Sequence, residues 1–432
     1  MENGLRTHLV WFRNNLRLAD NLPLATACRS GVQVIGLYHF EPHFFKGGLS
    51  GFQNLGPWRA KLLVDSLAEL REKLSRHGIP LYIAIGDLVA KVSQLQEQYA
   101  ITDVYAEAEW TDVEQNSQAM VRHHFPQFSW HTEEDRFLFH PTDIPFTAGT
   151  IPAVFSDFRR AVEKSATPRE PVQPDFTKIV PIPHAGDAVP NLADLGFSTL
   201  ATDRRTVFPF AGGEDAAMDR LNSYFFQNRH LSVYKSTRDG LMGTGYSSKF
   251  SPWLAVGCIS PRTIYQQVKI YESRFGANES TYWLVFELLW RDYFAWISRK
   301  WGNRIFKLDG ITGRTYQWRK NRLLFLDWVN GETREPFVNA NMKELKATGW
   351  MSNRGRQNVA SFLAKELEID WRWGASYFEH MLLDYDVHSN YGNWLYVSGV
   401  GNDPRDRRFN IAGQARRYDP EGTYQAMWND PA

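Results

Sequence analysis

Asp384 and Asp386 stand two residues apart in the stretch LDYDVHSNYGNW (383–394), and Asn390 and Trp394 follow closely. Two carboxylates, an amide and an indole gathered this tightly have few uses. An EF-hand calcium loop wants Asp or Asn at its fifth position, Gly at the sixth and Glu at the twelfth. Counted from Asp384, those places hold His388, Ser389 and Leu395. What remains is a solvated loop between helices, or a turn whose acids face partners supplied from elsewhere in the chain.

Three other stretches want a partner. In STYWLVFELLWRDYFAWISRKW (280–301), Glu287, Trp290, Arg291 and Phe294 fall on one helical face, with Leu284, Phe286, Leu288 and Leu289 making the surroundings apolar. A carboxylate and a guanidinium there are costly to bury unless paired. The plain alternative is an intrahelical Glu287–Arg291 bridge, worth about 0.3–0.5 kcal/mol if exposed. In GWMSNRGRQNVASFLAKELEIDWRWG (349–374), Trp350, Asn353, Arg356 and Gln357 are expected on another helical face, able to cap a neighbouring helix or grip a planar ligand. In GTGYSSKFSPWLAVGCIS (243–260), Ser247, Ser248, Lys249 and Ser251 lead into Pro252 and an apolar helix, an anion site in the making or an ordinary helix start. It is no Walker loop, because no Gly-Lys-Ser/Thr closes a glycine frame. Together the stretches offer a pyrophosphate cradle, charges for a ring system and an aromatic wall. A flavin dinucleotide would use all of these, with Asp384 pairing with Arg356, Asp386 accepting from the cofactor and Asn390 approaching the ring.

The elements that must position these residues divide the chain. HLVWF (8–12), VQVIGLYHF (32–40), IPLYIAIG (79–86) and TDVYAEAE (102–109) read as strands, and Leu62, Leu63, Leu67, Leu70 and Leu74 form one stripe of a helix over 58–74. This alternation predicts an α/β doubly wound parallel sheet over residues 1–135. RNNLRLADN follows the first strand in place of Gly-x-Gly-x-x-Gly, so this domain is not expected to bind a dinucleotide. Recurrent prolines mark a connector over 136–213 with a short helix near 153–164, and a helical, aromatic domain follows over 214–432. The net charge of +1 announces no global nucleic-acid footprint, and two cysteines exclude a disulfide framework or a cysteine-rich zinc site. No apolar run reaches membrane-spanning length and MENGLRTHLVWF shows no signal-peptide core, so a cytoplasmic protein is expected, with no metal. Of the sixteen tryptophans most lie beyond residue 250, and core packing is the default for them.

WFRNNLRLADN, SSKFSPWLAVGCIS, ELLWRDYF, GWMSNRGRQNVASFL and DYDVHSNYGNW, in this order along the whole chain, resemble the photolyase and cryptochrome flavoproteins. The tail NDPRDRRFNIAGQARRYDPEGTYQAMW looks most like the DASH branch. Asn15 departs from the family's Asn-Asp-Leu-Arg, which loses a carboxylate but leaves the turn possible. The resemblance implies FAD, bent into a U and held in the helical domain by Tyr234, Ser247, Ser248, Lys249, Phe250, Ser251, Glu287, Arg291, Asn353, Arg356, Asp384, Asp386 and Asn390. It implies that Asn390 faces flavin N5, that Glu287 and Asn353 touch a DNA lesion, and that Trp394, Trp371 and Trp318 carry an electron from surface to flavin.

The implied reaction is light-driven: reduced FAD passes an electron to a cyclobutane pyrimidine dimer, the ring splits and the electron returns. The dimer must first leave the base stack. Around the lesion the resemblance places Trp290, Gln357, Arg354 and Tyr396. Duplex-repairing members usually have tryptophan at the position of Tyr396 and methionine at that of Gln357. Histidines stand at the positions of Asn353 and Gln357 in members that repair (6-4) photoproducts, which excludes that substrate. A photolyase-type lyase preferring single-stranded or looped DNA is therefore expected, acting as a monomer, with Arg405, Arg407, Arg408, Arg416 and Arg417 either holding phosphates or bridging to Asp403 and Asp406. Blue-light signalling with little repair is the second expectation, weakened by a chain that ends four residues after Trp428. A nucleic-acid-binding flavoprotein with little catalysis is the third. The family often carries methenyltetrahydrofolate as an antenna, and Glu109, or else Glu107, is nominated to bond its pterin ring.

Overall fold

The computed structural model describes residues 5–29, 31–403 and 405–430. Part of the stretch read above for a leader, residues 1–4, lies outside them. Five strands, β1 (Thr7–Phe12), β2 (Gln33–Phe40), β3 (Leu81–Ile85), β4 (Ile101–Glu107) and β5 (Ser129–Glu133), form one sheet in the order β3-β2-β1-β4-β5. All four pairings are parallel. The expected doubly wound sheet is therefore present, with its crossover at β1. Helices α1 (Leu22–Ala27), α2 (Pro57–Arg76), α3 (Leu88–Tyr99) and α4 (Asp112–His124) cover its faces. Alternation along β1 sends Val10 and Phe12 toward Leu63 and Leu67 of α2, and Leu9 and Trp11 toward Val92 of α3 and Val121 of α4. β5, with the sequence SWHTE, carries no apolar run. It is held as an edge by its register with β4, where His131 stacks on Tyr105 with ring centroids 4.4 Å apart.

The turn after β1 serves the interdomain contact. Asn15 is buried and its Oδ1 accepts from the Arg13 N–H at 2.9 Å, so the amide keeps the turn without the carboxylate. Arg17 reaches across to the Gly257 carbonyl at 3.1 Å and the Asp135 carboxylate at 2.5 Å. Arg262 then grips Asp135 at 2.6 Å and Asp20 at 2.9 Å from the helical side. Four charges buried in mutual contact lock the two halves; losing one would strand the others.

The connector holds α5 (Phe155–Ser165) and then runs along the sheet domain, the Val180 N–H donating to the Val32 carbonyl and the Ile182 N–H to the Gly78 carbonyl, both at 2.8 Å. The helical part comprises α6 (Glu214–Asn222), α7 (Tyr234–Thr237), α8 (Ser251–Val256), α9 (Pro261–Phe275), α10 (Glu279–Trp301), α11 (Arg322–Asn330), α12 (Pro336–Thr348), α13 (Asn353–Ser361), α14 (Trp371–Met381), α15 (Val387–Ser398), α16 (Ile411–Tyr418) and α17 (Thr423–Asn429). The stretch 349–374 is not one helix. Ser352 caps α13, its Oγ accepting from the Gly355 N–H at 2.9 Å, so Trp350 lies before the helix and off the face assigned to it. Among the described residues no helix is long and apolar enough to cross a membrane.

Candidate functional site

Asp386 shows why two acids stand where they do. Its Oδ1 accepts from the Ser389 N–H at 2.7 Å and so caps α15, which carries Asn390 and Trp394 inward at one-turn spacing. Its other oxygen pairs with the buried guanidinium of Arg136. Burial works to raise its pKa, but Arg136, with His388 and Arg291, holds this carboxyl well below the usual range. Asp384 pairs with Arg356 of α13 at 2.9 Å, the partnership expected from the sequence. Its second oxygen is buried with no partner among the described residues, and Asp384 faces a cavity.

That cavity, about 280 Å³, is walled by α10, α13, α14, α15 and the loop before α8. Tyr234, Ser247, Ser248, Lys249, Phe250, Ser251, Glu287, Arg291, Asn353, Arg356, Asp384, Asp386 and Asn390 all line it, as do Gln357 and Trp394. Asn390 donates to the Ala375 carbonyl at 3.0 Å and so fixes α15 against α14.

The loop before α8 is shaped by a residue that sequence reading passed over. Arg220 of α6 is buried and donates to the carbonyls of Thr244, Ser247 and Ser248 at 2.8–2.9 Å. With those carbonyls turned to Arg220, the N–H groups of Ser247, Ser248 and Lys249 donate to no protein acceptor among the described residues, which leaves them for an anion. Lys249 itself is left-handed, at φ 57°. Its side-chain nitrogen closes the loop internally, donating to the Gly243 carbonyl at 3.1 Å and the Thr244 carbonyl at 3.2 Å over the Tyr246 ring. Burial, helped by the charge of Arg220, pushes this lysine down to about 6.

Glu287 and Arg291 do not pair with each other. Glu287 bonds Arg238 of the segment after α7 at 2.8 Å, while Arg291 donates to the carbonyls of Arg136 at 2.5 Å and Leu254 at 3.2 Å. Burial raises the Glu287 carboxyl against the opposing Arg238, and burial lowers Arg291 to about 10. Arg238 lines the cavity and was not anticipated; no spacing marks it, because its partner comes from another element.

Three nominated residues are not on the wall. One face of Trp290 is stacked on Phe155 of α5, with centroids 3.7 Å apart. Arg354 is spent on Asp239 at 2.9 Å and Gln357 at 2.7 Å. Tyr396 is half-buried beneath Arg407. The basic tail is largely paired: Arg405 and Arg407 go to Asp403 and Arg408 to Glu366, whereas Asp406 pairs with Lys365. Among the described residues no group of three or more His, Cys, Asp or Glu is arranged for a metal.

The three tryptophans are spread from cavity to surface. Trp394 lines the cavity, Trp371 is fully buried at the start of α14, and Trp318 is half-buried. The Arg319 N–H donates to the Glu368 carbonyl at 2.7 Å and the Asp370 N–H to the Arg319 carbonyl at 3.3 Å, which sets Trp318 beside the strand entering Trp371. Trp328 of α11, buried and unsuspected, meets Trp394 edge-on at 6.4 Å.

A second cavity, about 440 Å³, lies between the sheet domain and the helices. Its carboxylates are Glu41, Asp112, Glu114, Glu379 and Asp386. Glu109 and Glu107 are buried, each with an oxygen lacking a partner among the described residues, but neither is on this wall. Tyr385, Asp386 and Ala255 line both cavities.

Residues 8–176 match the DNA photolyase family model, and residues 283–430 match the model of the FAD binding domain of DNA photolyase. These define a photolyase-type flavoprotein. A cryptochrome DASH of Gloeobacter violaceus is 46 % identical, the match covering 98 % of this chain and 85 % of the relative. The crystal structure of a Synechocystis cryptochrome superposes with a TM-score of 0.94 at 42 % identity, over 99 % of this chain and 89 % of that one. A bacterial class III photolyase from Agrobacterium tumefaciens gives 0.84 at 28 % identity, over 99 % and 87 %. The chain belongs to the cryptochrome DASH family. The cavity suits FAD on its own chemistry: free loop amides for a diphosphate, the unpartnered oxygen of buried Asp384 for a donor, and an aromatic wall.

Proposed function

We propose that this chain is a blue-light-dependent lyase that repairs cyclobutane pyrimidine dimers and prefers single-stranded or looped DNA. The observation that carries this reading is the meeting of Glu287, Asn353, Gln357, Asn390 and Trp394 on one cavity wall with the amide-rich loop opposite. When bound and reduced, FAD supplies the electron that light drives onto the cyclobutane ring. The protein's part is positioning. The N–H groups of Ser247, Ser248 and Lys249 would hold the diphosphate, with Tyr234, Phe250 and Ser251 on the same wall. Asp384, oriented by Arg356, and Asp386, held ionised by Arg136, would accept from the ring systems. Asn390 and Arg291, both on the cavity wall, would hold the isoalloxazine. Glu287, held by Arg238, and Asn353 would present polar atoms to the flipped dimer. Trp394, Trp371 and Trp318 would form the path by which electrons reach the cofactor from the surface.

Single-strand preference rests on Tyr396. Extrusion from a duplex costs a few kcal/mol, and a stacked aromatic offsets about 1–3 kcal/mol per base, so one smaller ring matters. We assign the folate antenna to the second cavity, whose wall carries Glu41 and not Glu109. The working division is a sheet domain over 1–135, a connector over 136–213 and a helical catalytic domain over 214–432. The deciding experiment is dimer turnover under blue light on one oligonucleotide, annealed and unannealed. Absence of repair on both, with flavin photoreduction intact, would favour the signalling alternative.

A further inference from the structure

Between Asp309 and Asp327 the chain carries Arg314, Arg319, Lys320 and Arg322 and no carboxylate. All four are exposed. Only Arg319 has an acidic partner among the described residues, Glu368 at 2.9 Å. Arg314 donates to the Gly399 carbonyl and Arg322 to the Ser50 carbonyl, neutral oxygens that orient each guanidinium without cancelling its charge. The whole chain is nearly neutral at +1, so this local excess is no echo of composition. Leu323 directly follows and is 75 % exposed, the most exposed large hydrophobic side chain among the described residues. Trp318, half-buried against Tyr316 with centroids 5.5 Å apart, lies in the same segment. Three cations without an acidic partner among the described residues, an apolar knob and a half-buried tryptophan thus share one surface segment.

We infer that Arg314, Trp318, Arg319, Lys320, Arg322 and Leu323 form a docking surface for an acidic one-electron carrier protein. The inference rests on the tryptophan-chain reading above. When Trp394 gives up an electron and the vacancy passes outward, Trp318 is left one electron short. The reduced carrier gives one electron to the Trp318 indole and is itself oxidised by one; no bond forms or breaks and no proton moves. Cations with an exposed leucine suit the acidic rim and apolar centre of a transient protein contact, whose encounter rate is set by charge. A nucleic-acid track is the poorer fit, because none of these residues lines the cavity where a damaged base would sit.

The test uses the FAD-loaded chain and an acidic plant-type [2Fe–2S] ferredoxin as the probe. Dark binding of the oxidised probe is measured by calorimetry for the parent, Arg314→Glu/Lys320→Glu and Leu323→Ser. Binding should weaken roughly tenfold or more in the double variant and likewise between about 20 and 200 mM salt; Leu323→Ser should weaken it with little change in salt dependence. After a flash, reduced probe should shorten the life of the oxidised tryptophan in the parent and not in the double variant. Equal binding by parent and double variant overturns the proposal. So does a lesion-free single-stranded oligonucleotide, rather than the probe, losing affinity on charge reversal. Photoreduction with dithiothreitol separates the two readings: if Trp318→Phe photoreduces like the parent, the tryptophan chain fails. If it slows while probe binding ignores charge, only the docking surface fails.

Discussion

The ring of Trp394 rests directly on the backbone of Gly374. A Cβ added at Gly374 would stand 2.2 Å from Trp394 Cη2, with Leu363 Cδ2 only 2.6 Å away on another side. Gly374 lies one turn along α14 from Trp371, so the missing side chain lets the cavity indole lie against that helix. Helix propensity argues against glycine here, at about 1 kcal/mol relative to alanine; close approach decides.

Gly374→Ala should therefore displace Trp394. Overpacking of this kind costs about 1–3 kcal/mol, read as a lower melting temperature. Photoreduction with an external donor should slow as well, in the direction of Trp394→Phe, which keeps most of the packing and removes the donor. A Gly374→Ala protein that melts lower but photoreduces at the parent rate would mean that the ring's placement does not govern electron entry.

Lys249 predicts a proton taken up on cofactor binding. Its ordinary value of 10.5 falls to about 6 in the folded apoprotein, through burial and then Arg220. Between those values the unfolded chain holds a proton that the folded chain lacks, so this group makes stability rise with pH across the window; below about 6 both forms hold it. Glu344, pushed by burial up to about 8, works the other way between 4.5 and about 8. A bound diphosphate restores the lysine's proton. Calorimetry in buffers of different ionisation enthalpy near pH 8 should show uptake approaching one proton, lost in Lys249→Met and kept in Glu344→Gln. Uptake unchanged in Lys249→Met would move the proton to another group.

For the antenna, Glu41 is the residue to change. Burial tends to raise its carboxyl, but His39 and Arg13 hold it below the usual value, so a charge faces the second cavity. Glu41→Gln should deplete near-ultraviolet folate absorption in gently prepared protein and leave FAD bound. Glu109→Gln should deplete it less. The reverse order would restore Glu109 as the contact residue.

Tyr396→Trp should raise dimer turnover on duplex DNA while leaving the single-stranded rate within about twofold, a difference under 0.5 kcal/mol. The larger ring must displace Arg407, which lies 5.6 Å over the tyrosine ring. Paired measurements at fixed salt, annealed and unannealed, decide; unchanged discrimination would show that the tyrosine does not set it.

What could be read from the sequence was what repeats or clusters along it. The leucine stripe of α2 and the apolar runs of β1 to β4 obey short periods, and the residues around Asp384 to Trp394 sit within one helix and its cap. What escaped is set by partners distant in sequence. β5 has no apolar period and is defined by its neighbour β4. Arg220 acts on carbonyls 24 to 28 residues away, and Arg136 meets Asp386 across 250 residues. Nor could the face of Trp290 be assigned, since Phe155, 135 positions earlier, covers it. Trp350 precedes α13 because a serine cap starts that helix later than the helical period predicts, yet it lines the same cavity as Asn353, Arg356 and Gln357.

Tyr385, Asp386 and Ala255 belong to both cavities, so the partition between them is one side chain thick. Thermodynamic linkage then ties the two sites together. An occupant of the cleft that shifts Asp386 or Tyr385 changes the affinity of the inner cavity, and the inner occupant must change the affinity of the cleft by the same factor. Loss of one ligand during purification will therefore misreport the hold on the other, in whichever order they are removed.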